Sequence, residues 1–167
     1  MNSHFLLEKL EHSEEYKKFK KENPQTYLCS GFFIIDLSEN NPENKYHLDF
    51  YIPETKKTFS FELEQGIKLV PLERLDETIL EEVSLKNNFD FDELKELILN
   101  EMASKKITNK IQKMIFSLQN NKGKDFLLGT IFISGFGLLK ANIDLSERKI
   151  INFEKNSLFD MMKIIKK

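Results

Sequence analysis

The chain has 167 residues, 40% hydrophobic and 31% charged, which is enough apolar material for one well-buried core and excludes compositional disorder. Its 25 basic and 27 acidic residues leave a net charge of −2, so no global field favours DNA, RNA or an anionic membrane, although local basic patches remain open. A single cysteine, Cys29, excludes an intramolecular disulfide, and its strand-like surroundings predict a buried thiol.

The first dozen residues carry charges every few positions and lack the apolar stretch of a signal peptide. No run reaches the roughly 18 apolar residues of a spanning helix. The expectation is a cytoplasmic protein without a membrane partner. Ser3 to Glu22 reads as one helix capped at Ser3 and stopped by Asn23-Pro24, with Phe5, His12, Tyr16 and Phe19 on its packed side. Tyr27 to Leu37 reads as a strand covered on both faces, because Phe32, Phe33, Ile34 and Ile35 are continuous. Two alternating strands follow, Tyr46–Ile52 and Thr58–Leu63, joined by a turn over residues 53–56.

Residues 66–86 are the least patterned, although Pro71 confines any strand there to a sheet edge. Asp90 opens a helix with Asp92 and Glu93 in its first turn. An apolar stripe from Phe91 through Leu94, Ile98, Met102, Ile111, Met114 and Leu118 then predicts one long helix to about Asn120, or two meeting near Lys105–Asn109, with Lys122 and Gly123 at its end. Residues 126–134, 138–144 and 149–153 form a predicted three-stranded meander around Gly135-Phe136-Gly137 and Ser146-Glu147-Arg148. Gly129 marks a bulge or a close backbone approach, and Ser157 caps a last short helix carrying Leu158, Phe159, Met162 and Ile165.

The pattern therefore occurs twice, giving an α+β fold of two helix-plus-three-strand halves with antiparallel sheet packed against helices. The first half covers residues 1–65, a connecting segment 66–90, and the second half 91–167 with its C-terminal helix, all in one compact domain. Leu139 to Ile151, with its strand, Asp-led turn and strand, resembles the ending of PepSY-type repeats. The usual turn glycine is replaced by Glu147 or Arg148. The resemblance implies a topology, and known PepSY modules are mostly exported or membrane-attached.

Candidate chemistry is sparse. His4 and His12 lie about 12 Å apart along a helix and off a common azimuth, so they cannot share an ion; no metal and no cofactor are expected. Gly135-Phe136-Gly137 leads into a strand, whereas a phosphate loop leads into a helix. The polar cluster worth following is the hairpin face of His47, Asp49 and Tyr51 with Thr58, Ser60 and Glu62, whose side chains converge across two strands. An ordinary solvated sheet face is the leading expectation for it. Lysines gather at Lys17, Lys18, Lys20 and Lys21, at Lys105, Lys106, Lys110 and Lys113, and at Lys163, Lys166 and Lys167. The leading functional expectation is a non-catalytic binding module whose partner is another protein or a second copy. Two alternatives remain: a small-molecule pocket or acid/base enzyme at His47, Asp49 and Tyr51, and lysine-mediated nucleic-acid contact.

Overall fold

A computed structural model describes residues 1–165. Ser3–Glu11 forms α1 and Glu14–Glu22 forms α2. The strands of the first half are β1 (Tyr27–Asp36), β2 (Lys45–Ile52), β3 (Lys57–Glu62) and β4 (Lys68–Leu72). Then come α3 (Phe91–Ser104), β5 (Ile111–Asn121), β6 (Lys124–Ile133), β7 (Gly137–Asp144), β8 (Lys149–Ser157) and α4 (Leu158–Ile165). All eight strands make one antiparallel sheet in the order β4-β3-β2-β1-β5-β6-β7-β8. Each half is thus laid out from the centre outward in the same strand order, and the antiparallel β1–β5 pair relates the halves by an approximate twofold.

The α+β class and the helix-plus-meander repeat are as the sequence leads one to expect, with a fourth strand added to each half. In the first half that strand is β4, an edge strand containing Pro71. In the second it is β5, where the apolar stripe had predicted helix; this is a correction with an identifiable cause. Lys106 turns left-handed at φ 58, and Ile107 N–H donates to the Met102 carbonyl (2.8 Å), so α3 stops without a glycine. A bulge between Ile111 and Lys113 then turns Ile111 and Met114, three residues apart, to the same face of the strand. That spacing imitates a helix. Lys122 and Gly123, both at positive φ, make the β5–β6 hairpin turn rather than a helix end.

The N-terminal helix also divides. Ser13 accepts from Tyr16 N–H (3.2 Å) and starts α2, while Asn2, not Ser3, caps α1 through Phe5 N–H (2.8 Å). His12 falls at the break and is exposed, with Nδ1 2.7 Å from the Glu8 carbonyl, so it is not the packed histidine expected. Phe5 is exposed as well.

Helices α1, α2 and α3 cover one face of the sheet, the inner face. Phe19 packs on Phe50, Phe59 and Phe61, and Phe91 packs on Phe33 and Phe116. Gly129 sits on this face beneath Phe116, and a Cβ there would lie 3.0 Å from the Ala141 carbonyl oxygen, which is the close approach its position suggests. The outer face differs from expectation: β1 is not covered on both sides, since Phe32 is more than a third exposed, as is Leu128 on β6.

Residues 73–89 connect the halves and are pinned at several points. Tyr27 Oη donates to the Leu80 carbonyl (2.6 Å), Val83 N–H donates to the Leu28 carbonyl (2.8 Å), and Ser84 and Leu85 bond the buried Asp125 carboxylate. Asp144 builds the Asp-led turn by accepting from the Ser146 and Glu147 amides, and Arg148 takes the left-handed conformation (φ 51) usually given to glycine.

Candidate functional site

The hairpin brings the six sequence-selected side chains together in three directly opposed pairs. His47 faces Glu62, Asp49 faces Ser60, and Tyr51 faces Thr58, all on the outer face of β2 and β3. The convergence is as expected, but the exposure is not. Asp49, Tyr51, Thr58 and Ser60 are buried, and His47 is half-buried. The solvated-face expectation is therefore corrected. Alternation sets which face a side chain takes; it does not say whether another segment covers that face.

Two residues of β1 complete the cluster. A bulge between Leu28 and Ser30 sets Ser30 against Asp49, and Ser30 Oγ donates to Asp49 Oδ2 at 2.7 Å. Cys29 Sγ lies 3.3 Å from the Asp49 carbonyl oxygen. Burial pushes the Cys29 thiol up to about 12, which makes it an inert structural thiol. Sequence reading missed Ser30, yet a signal was present. Leu28 and Gly31 both face the core three residues apart, which strict alternation forbids and a bulge supplies.

His47 turns away from its cross-strand partner. Its Nε2 lies 3.2 Å from Glu64 Oε1, and its ring centroid is 6.0 Å from that of Phe32. Glu62 instead reaches toward Lys68 at 4.0 Å and lines an open polar cleft of about 610 Å³ with Tyr46, Glu64 and Lys68. The hydroxyls of Thr58 and Ser60 are buried without a hydrogen-bond partner. Among the described residues no group of three His, Cys, Asp or Glu side chains is placed to hold a metal ion.

Burial also raises the Asp49 carboxyl above its ordinary range. The raised value means that the stability contributed by protonated Asp49 is full below the unfolded carboxylate pKa and is lost as pH rises through the folded one. Asp49→Asn keeps the acceptor for Ser30 and removes the buried charge. The variant is expected to be more stable than the parent at neutral pH, on the order of 1 kcal/mol, the ordinary size of a single polar substitution. The difference should shrink toward zero on acidification. Urea melts of both proteins across pH check this, and a variant less stable than the parent at neutral pH would refute it.

A second feature of the outer face is apolar. Register places Phe32, Ser117 and Leu128 in one row, Ile34, Ile115 and Thr130 in the next, and Lys113, Phe132 and Leu138 in a third. Phe32, Ile34, Ile115, Leu128 and Phe132 form a stripe across the sheet centre, ending at an open concavity of about 750 Å³ beside Leu37 and Lys110.

No family model matches the chain, and no curated protein is similar to it in sequence. Among solved structures it is similar to the crystal structure of a "putative lipoprotein" from Clostridium difficile 630, with a TM-score of 0.55 and 12% identity over 86% of this chain and 91% of that one. At that identity the likeness shows a shared fold alone. Among the described residues no helix is long and apolar enough to cross a membrane.

Proposed function

We propose that this protein is a non-catalytic intracellular interaction module whose recognition surface is the apolar stripe of the outer sheet face, and that the occupant is the same face of a second copy. The observation that carries the reading is the central row of β1, β5 and β6, where Phe32 and Leu128 stay more than a third exposed although the inner face of the same strands is fully packed. An apolar centre bordered by Lys45, Lys113, Lys140 and Asp36 has the composition of an interface, apolar inside and charged at its rim. Open sheets stack face to face about 10 Å apart, and a twofold dimer needs one self-complementary surface. The polar hairpin residues support the non-catalytic side of the reading, because His47 is engaged by Glu64 and Asp49 by Ser30.

We infer that the second half ends, over Leu139–Ile151, as a PepSY-like repeat does. The Asp-led turn at Asp144, with Arg148 at the position glycine usually takes, supports that reading.

The test is the oligomeric state of the full chain. Light scattering over a concentration series is expected to show a monomer–dimer equilibrium, and Phe32→Asp or Leu128→Asp is expected to shift it to monomer with little change in melting temperature. A chain that stays monomeric at the highest concentration overturns self-association. The burial of Asp49 is what favours the alternative of a small-molecule or acid/base site.

A further inference from the structure

At the β6–β7 turn two exposed aromatic side chains meet. The β6–β7 turn is a three-residue loop, Ser134 to Phe136, in which Gly135 (φ 77) and Phe136 (φ 59) both take positive φ. Glycine or asparagine suits that conformation, and a bulky side chain there is strained. Burial does not compensate the strain, because Phe136 is 65% exposed. The turn itself is held firmly: Asn109 Nδ2 donates to the Ser134 carbonyl (3.0 Å) and Lys110 N–H to Ser134 Oγ (3.0 Å).

Helix α4 begins against this turn. Leu158 N–H donates to the Phe136 carbonyl (3.0 Å), and the Phe136 and Phe159 rings meet edge to face at 5.6 Å. Phe159 is 60% exposed and Met162 55%, so α4 leaves large apolar side chains in solvent. In sequence, six of its eight residues are apolar. From Ser157 to Lys167 there are three lysines, Lys163, Lys166 and Lys167, against one acid, Asp160, a local charge of +2 in a chain whose net charge is −2.

We propose that Phe136, Phe159 and Met162, with Lys163, form a docking tip for an anionic lipid bilayer. A turn and a short helix whose aromatic side chains stand in solvent suit insertion into an interface better than capture of a groove ligand. Aromatic rings on an amphipathic helix start, flanked by lysines, match the acyl boundary and the anionic headgroups respectively. The inference does not rest on the dimer reading, since the residues involved lie outside the central rows of the sheet.

Flotation of the full chain with vesicles separates the cases. The protein is expected to float with phosphatidylcholine vesicles containing phosphatidylglycerol, much less with phosphatidylcholine alone, and less again in high salt. Phe136→Asn with Phe159→Ser is expected to reduce partition at least about tenfold, as removal of buried aromatic area should. Its melting temperature should be unchanged or raised, because Asn fits the positive φ. Lys163→Glu reverses the charge of an exposed residue of α4 and should also reduce flotation several-fold. Absence of flotation with anionic vesicles overturns the proposal, as does flotation that survives both the aromatic and the lysine variants. If the aromatic variant changes oligomeric state while partition stays the same, the tip contacts a second copy and the lipid assignment fails.

Discussion

Asp125→Ala is expected to lower stability by about 2–3 kcal/mol, the scale of removing a multiply bonded buried acceptor. Asp125 is 3% exposed and stands at the start of β6, where Phe126 and Leu127 enter the sheet. Its carboxylate accepts from Asn120 Nδ2 (2.8 Å), Ser84 Oγ (2.9 Å) and the Leu85 amide (3.1 Å). Those bonds fix the connecting segment over the β5–β6 hairpin, together with Lys122 N–H donating to Glu81 (2.9 Å). Removing the carboxylate strands these three donors and the Ser84 amide, four in all. Asp125→Asn should fall between parent and alanine variant, because it keeps acceptor oxygen but turns an amide toward donors. Urea melts give the ranking, and hydrogen exchange at Leu85 should show the segment loosening first. A loss under about 0.5 kcal/mol, within the range of ordinary surface substitutions, with Leu85 protection unchanged would mean that the segment is held by Val83 and Leu80 alone.

The elements most legible in the sequence are those where one signal acts alone. Residues 46–52 and 58–63 alternate strictly on either side of the turn at 53–56, and they form the β2–β3 hairpin as expected. Asp90 followed by Asp92 and Glu93 caps α3, accepting from Asp92 N–H at 2.8 Å. The misreadings have a common physical source. Bulges at Leu28/Ser30, Ile111/Lys113 and Asn142/Ile143 each set inner-facing residues three apart: Leu28 and Gly31, Ile111 and Met114, Ile150 and Phe153. In β5 that spacing follows directly on a true helix, so the two patterns join without a visible seam. Lys106 and Arg148 hide the breaks further by occupying left-handed positions where a glycine would have announced a turn.

For the candidate site, the hairpin pairing could be read from alternation, but its burial could not. Exposure of the outer face depends on residues far away in sequence: Ser30 reaches Asp49 across 19 positions and Tyr27 reaches Leu80 across 53. The Phe136 tip was similarly masked. Gly135-Phe136-Gly137 reads as a turn on its glycines, and that is what it is; only the backbone shows that the phenylalanine takes one of the two positive-φ positions.

Phe91→Ala should cost about 3–5 kcal/mol, the range for truncating a buried phenylalanine, and should do so without splitting the unfolding transition. Phe91 is 3% exposed and opens α3, so by sequence it belongs to the second half. Its ring, however, lies 5.2 Å from Phe33 on β1 and 5.7 Å from Tyr46 on β2, as well as 6.3 Å from Phe116 on β5. It also stacks on Phe89 at 5.6 Å, while its amide donates to the Met1 carbonyl at 3.1 Å. One side chain therefore ties the N-terminus, both central strands and the connecting segment into a shared core. If the halves were separate folding units, its loss would destabilise the second half alone and expose two transitions. A shared core instead shifts a single transition, with amides of β2 and β6 losing protection together. Fluorescence and hydrogen-exchange melts of the variant that separate in midpoint would refute the shared core. Coincident melts displaced by the full amount would show that the repeat has fused into one cooperative sheet.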